Sequence, residues 1–203
     1  PSRRERKATG NAPYGNPVLP GTYVVEMEYA GKKVSQNIEV IYDPRKTWDM
    51  EDLTAKDALL NDIDSYRERA LEATNKLAKA QTIIKDYSDR IENSSLENKE
   101  DLIKNQKELS KTIDDFFDKL LGKVDKRQGI TRNPEPNALS YLYKARSYTM
   151  GLDGAPTSTE VTLFENAKIK LEPELDSISE FFAGPWKEYR SKMQNLALSP
   201  FED

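Results

Sequence analysis

From Met50 to Ile91 the chain contains neither proline nor glycine. Along that stretch Leu53, Leu60, Ile63, Ala70, Thr74, Leu77, Ile84 and Ile91 recur in alternating steps of three and four, some of them doubled. The spacing keeps these residues on one stripe of an α-helix. At ~1.5 Å rise per residue the helix is about 60 Å long. A single stripe on so long a rod must be covered, because helices in proteins draw most of their stability from packing. The rest of the chain is therefore expected to supply helices that lie along it.

The composition suits that architecture. Charged residues make up 33% of the 203 positions and hydrophobic ones 36%, and mean hydropathy is −0.80. Such polarity fits a slender bundle in which each helix buries only a stripe. Net charge is −4, and acids and bases alternate along the helices instead of forming blocks. A nucleic-acid partner would call for a basic face. The nearest approach is Arg3, Arg4, Arg6 and Lys7, a short tip that reads as a solvated tail, so no nucleic acid is expected as partner. With no cysteine and no histidine, disulfides, thiolate metal sites and the commonest general base are excluded. No apolar run approaches the ~18 residues of a membrane span. The sequence begins at Pro1 and not at methionine, and we expect a piece of a longer polypeptide.

Residues 1–20 read as a linker, punctuated by Gly10, Pro13, Gly15, Pro17 and Pro20. A β-hairpin is expected over 21–46. Tyr23, Val25, Met27 and Tyr29 alternate onto one face, Ala30-Gly31-Lys32 marks the turn, and Val34, Ile38, Val40 and Tyr42 resume the alternation. A lone two-stranded hairpin is marginal in water, so it either packs on the helices or ends a sheet whose earlier strands lie elsewhere; two long strands with an unpaired edge favour the second reading. Asp43-Pro44-Arg45 stops the ladder, Trp48 sits at the corner, and Thr47 or Asp49 can cap the long helix.

Residues 47–203 are expected to form an antiparallel bundle of about four helices, so the fold class is mainly α with a leading hairpin. A break at Asn93-Ser94-Ser95 precedes a second helix reaching about Leu121, with Leu102, Gln106, Leu109, Ile113, Phe116 and Leu120 on its stripe. Residues 122–136 read as a loop. A third helix is expected over about Pro136–Met150, with Leu139, Leu142, Tyr143 and Met150 as its apolar residues. Thr157-Ser-Thr-Glu160 is a capping-box pattern for a last helix carrying Phe164, Ala167, Leu171, Leu175, Ile178 and Phe182. Pro173 should kink it and Gly184-Pro185 should break it, with Trp186, Tyr189 and Met193 continuing the apolar face. Leu198–Asp203 reads as a docked or frayed tail.

No catalytic constellation stands out. Phosphate-binding loops of the G-x-x-x-x-G-K-[ST] and G-x-G-x-x-G kinds are absent, and histidine-dependent zinc and di-iron motifs are impossible. Acid pairs such as Asp62/Asp64, Asp114/Asp115 and Glu172/Glu174 suit glycoside hydrolysis in principle, yet 35 acids make such pairs by chance. No catalytic residue, metal ligand or cofactor is expected. Tyr141, Tyr143, Tyr148 and Trp186 are the candidates for a ligand surface, since flat rings stack on sugars; filling the bundle beside a short third helix is the simpler role for them.

The run Leu19-Pro-Gly-Thr-Tyr-Val-Val25, then Gln36-Asn-Ile-Glu-Val40, then Asp43-Pro-Arg45 before a long helix, resembles the C-terminal region of secreted bacterial proteins with BNR (Asp-box), or sortilin-like, β-propeller repeats, many of them labelled glycosyl hydrolases. The Pro156-Thr-Ser-Thr-Glu160 start of the last helix and the Leu198-Ser-Pro-Phe201 ending are similar too. The resemblance implies that the hairpin ends an immunoglobulin-like sandwich, with a propeller further upstream. It implies an extracytoplasmic location, and as partners the upstream propeller and sandwich of the same polypeptide, with a glycan or cell-surface protein beyond them. The expected function is a non-catalytic accessory or interaction domain of that parent. The alternatives are a carboxylate-based glycoside hydrolase fragment and a helical adaptor module.

Overall fold

The computed structural model describes residues 15–123 and 137–196. Its first elements are strands β1 (Gly21–Tyr29) and β2 (Lys32–Val40), paired antiparallel without a bulge from Gly21 opposite Val40 to Tyr29 opposite Lys32. The turn residues Ala30 and Gly31 have φ of 48° and 74°. Positive φ at both central positions is the backbone of a two-residue turn whose twist matches that of the strands. This tight turn starts β2 at Lys32, two residues before the alternation suggested, and the strand stops at Val40, short of Tyr42.

Helix α1 runs Met50–Glu92. Asp49, not Thr47, caps it by accepting from the Glu51 amide at 2.8 Å. Its buried line passes through Ala70, Ala73, Leu77, Ala80 and Ile84. Ala73 therefore takes the place expected for Thr74, which is half-buried and turns its hydroxyl back to the Ala70 carbonyl at 2.6 Å. A hydroxyl bonded within its own helix needs no partner from the core.

Helix α2 (Lys99–Leu121) returns along α1 with Gln106, Leu109, Ile113, Phe116 and Leu120 buried. Leu102 is only half-buried, in the first turn of α2 beside the connection from α1. Helix α3 (Ala138–Met150) is capped by Asn137, whose side-chain oxygen accepts from the Ser140 amide at 2.8 Å while its amide nitrogen donates to the Leu121 carbonyl at 2.6 Å. One side chain thus starts α3 and ties it to the end of α2. Pro136, expected in the first turn, lies outside the described residues, as do the basic tip and the C-terminal tail. Ala138, Leu142, Ala145 and Thr149 face the core and Tyr143 points to solvent, because successive steps of three and four from Leu142 reach 138, 145 and then 149 but not 143.

Helix α4 (Ser158–Ala183) opens with the anticipated capping box between Thr157 and Glu160. It continues on both sides of Pro173, an exposed position. Phe181, and not Phe182, completes its buried stripe. After Gly184 comes α5 (Pro185–Gln194), with proline at its first position and Tyr189 and Met193 buried. The described chain is therefore a bundle of four helical rods, the last interrupted at Gly184, with the hairpin in front. Ile63, Leu77, Ile113, Leu120, Leu142, Ala167 and Leu171 are its fully enclosed centre.

Candidate functional site

The feature that the bundle leaves unexplained is the hairpin. Residues directly opposite in an antiparallel pair share a face, so Tyr23, Val25, Met27 and Tyr29 lie on the same side as Ile38, Gln36, Val34 and Lys32. The other side carries Thr22, Val24, Glu26, Glu28, Lys33, Ser35, Asn37 and Glu39. This is the alternation of a sheet with one dry face. Yet Val25, Met27, Tyr29, Val34 and Ile38 remain 42–79% exposed, and the two strands pack chiefly on each other. Singly exposed apolar residues are ordinary; a contiguous face of them marks an interaction surface.

At its base the hairpin is anchored. The Tyr23 hydroxyl donates to the Leu19 carbonyl at 2.7 Å. Tyr42 stacks on Trp48 with ring centroids 4.8 Å apart, and Trp48 Nε1 donates to the Asp43 carbonyl at 3.1 Å. The corner expected of Trp48 is thus a stacked pair with its ring orientation locked. Burial holds the Tyr42 phenol above its ordinary range, with Tyr23 and Asp57 adding to the effect. Arg45 hydrogen bonds hold the Asp43 carboxyl below the usual range.

Beside this corner lies a cleft of about 210 Å³ between the linker, α1 and the end of α3, lined by Tyr42, Trp48, Lys56, Asp57, Met150 and Leu152 among others. Lys56 Nζ donates to the carbonyls of Leu152 at 2.6 Å and Met150 at 3.2 Å. An ammonium on the last carbonyls of a helix completes its C-terminus and opposes its dipole. Lys46 adds an ion pair to Asp153 at 3.1 Å. The Lys56 bonds hold α1 to the end of α3, and the Lys46 pair joins the segment leaving the hairpin to the loop after α3. Nothing in the spacing of the lysines singled them out, because the Lys56 carbonyl partners and the Lys46 carboxylate partner lie about a hundred residues away.

The four aromatic candidates do not meet as one platform. Trp186 joins a cluster with Phe181, Phe182 and Tyr189, at centroid distances of 6.3, 6.0 and 5.3 Å. Tyr141 is half-buried under Lys170, whose Nζ is 5.3 Å from the ring centre. Tyr143 and Tyr148 are exposed on α3, and no ring contact among the described residues joins them to Trp186. The acidic pairs are split likewise. Asp64 is bonded by Arg67 and, at 3.2 Å, by Arg146 Nε. Burial raises its carboxyl, but the two guanidinium groups together outweigh it and the net shift is downward. Asp114 accepts from Gln81, Glu172 from Tyr66, and Glu174 pairs with Lys119 at 3.0 Å. A general acid needs a carboxyl held up; those that move here, Asp43, Asp64 and Glu160, move down.

Gln106 shows what the stripe could not tell. Placed by spacing among apolar residues, it is enclosed, its Nε2 donating to the Tyr189 hydroxyl at 2.9 Å and its Oε1 accepting from Ser88 at 2.8 Å. The network joins α1, α2 and α5. Among the described residues no group of three or more Asp or Glu is arranged to hold a metal, and no helix is long and apolar enough to cross a membrane. Compared with known proteins, the chain matches no family model, no curated protein and no solved structure.

Proposed function

We propose that this chain is a non-catalytic accessory domain of an exported β-propeller protein. Its bundle is a rigid base that presents the hairpin to the remainder of an immunoglobulin-like sandwich, supplied by the upstream part of the same polypeptide. Docked there, it orients the propeller toward a glycan or a cell-surface protein. The observation that carries this reading is the exposed apolar face of Val25, Met27, Val34 and Ile38 on a hairpin whose exit is paired to the bundle through Lys46 and Asp153. Two strands with a dry face need a third layer to be stable. The sequence likeness over Leu19–Val25, Gln36–Val40 and Asp43–Arg45 is what supports an immunoglobulin-like sandwich as that layer.

The hydrolase alternative draws no support from acids that are ion-paired or bonded at the surface, and the adaptor alternative needs an open helical stripe where this one is closed by its neighbours. Calorimetric titration of the chain with the separately expressed upstream region tests the proposal. Association at micromolar or tighter concentration, lost in Met27→Asp, is the expected result. Absence of binding with both partners folded would sink it.

A further inference from the structure

The outer edge of β2 is the second feature without a partner among the described residues, and its residues are complementary to themselves. In the two-residue turn Tyr29 and Lys32 form a hydrogen-bonded pair, as the register has them opposite each other. Counting from there, the main-chain groups of Lys32, Val34, Gln36, Ile38 and Val40 face β1. Those of Lys33, Ser35, Asn37 and Glu39 face outward, where no strand among the described residues pairs with them.

A second copy adding antiparallel to this edge must set outward residues against outward residues. Centring the pairing on Ser35 puts Lys33 opposite Asn37. Centring it on Asn37 puts Ser35 opposite Glu39. Centring it on Gln36 puts Lys33 of each copy opposite Glu39 of the other, Ser35 opposite Asn37, and Val34 opposite Ile38, over all nine residues of the strand. That register alone forms two symmetry-related ion pairs while keeping every apolar side chain on one face. Strand β1 cannot do the same: its outward groups belong to Thr22, Val24, Glu26 and Glu28, and it contains no base.

The geometry points to a homodimer formed by β2 against β2 about a two-fold axis at Gln36. A two-fold, self-complementary contact closes on itself and does not propagate. It converts two exposed hairpins into one four-stranded sheet and merges their dry faces into a single platform. The edge is distinct from the face invoked above, so the inference stands apart from what covers that face.

The test is sedimentation equilibrium combined with cross-linking, with circular dichroism of the bundle confirming that each variant is folded. The wild-type chain should dimerise, and Lys33→Glu or Glu39→Lys alone should weaken dimerisation about tenfold by setting like charges opposite at both contacts. Mixing those two variants should restore the dimer, because both contacts are then attractive; a mere disturbance of the Lys33–Glu28 pair, 3.7 Å apart, gives no such rescue. The chain has no cysteine of its own. Gln36→Cys should oxidise readily to a covalent dimer, since facing non-hydrogen-bonded residues have Cα atoms about 4.5 Å apart. Val34→Cys should not, because equivalent residues there are offset by about 13 Å. A monomer at every concentration, open-ended growth, or equal cross-linking of the two cysteine variants would each overturn the inference.

Discussion

Tyr189→Phe removes one oxygen from an enclosed side-chain contact between two helices. Tyr189 is 2% exposed and Gln106 is 1% exposed, so water cannot replace what is lost. The ring stays, its packing on Trp186 at 5.3 Å is kept, and no cavity large enough to matter is opened. What changes is that Gln106 Nε2 keeps a donor with nothing to accept it. Orphaning a buried neutral donor costs about 1–3 kcal/mol. Gln106→Met, close in length and flexibility, should cost a similar amount by stranding the Tyr189 hydroxyl instead. In the double variant both groups are gone and only Ser88, half-buried and within reach of solvent, loses its acceptor. The double variant should therefore be more stable than the sum of the singles implies, by about 1 kcal/mol or more. Urea denaturation of the four proteins measures the cycle. A Tyr189→Phe protein as stable as wild type, or strictly additive singles, would refute the claim that the network matters energetically. Alkaline pH gives a second reading. Burial, the largest influence on Tyr189, raises its phenol above 10.0, with the bond from Gln106 opposing and Tyr87 adding to the rise. The unfolded chain then gives up this proton first, so the stabilisation is complete below pH 10 and is lost as pH rises through the folded value. Tyr189→Phe should flatten that alkaline decline.

Leu77→Ala and Ile113→Ala each empty a site that is fully buried, and each should lower stability by ~2–5 kcal/mol in thermal or urea denaturation; near-neutral effects at both would contradict the assigned stripe. Thr157→Ala dismantles the capping box, in which Glu160 Oε2 accepts from Thr157 Oγ1 at 2.6 Å and its amide at 2.9 Å, and should cost about 0.5–2 kcal/mol. Those Thr157 bonds also hold the Glu160 carboxyl below 4.5, so their contribution is present above that pH and fades as pH falls through the lower folded value; the variant should show a shallower acid decline, and an unchanged acid limb would tell against the box. Met27→Thr with Val34→Thr, on the exposed hairpin face, should leave bundle stability within about 0.5 kcal/mol of wild type while reducing the binding of a hydrophobic dye; a large loss of stability would mean that the face is covered within the chain.

Local patterns made most of the fold legible. The proline-free run set α1, Thr157 and Glu160 set the start of α4, and the alternation around Ala30-Gly31 set the hairpin, because each depends on residues within a few positions of one another. The misplacements share one cause. Thr74 against Ala73, and Phe182 against Phe181, are consecutive residues about 100° apart on the helix, flanking the margin of a stripe. Which of two such residues is enclosed is decided by the helix that packs there, and no local count contains that information.

The same limit explains why the candidate site was only half visible. The dry face of the hairpin could be read from alternation, but its exposure is a property of everything that does not pack on it. The Lys56 bonds to α3 and the Gln106–Tyr189 pair join positions far apart in the chain, so neither left a signature in spacing. Aromatic residues were noticed for their chemistry and then divided by geometry, with Trp186 drawn into a core cluster and Tyr143 left on the surface. A bundle that encloses its own stripes, yet holds out two strands with one face and two edges open, has its unmet contacts concentrated in the hairpin. Function is to be sought where those contacts are made.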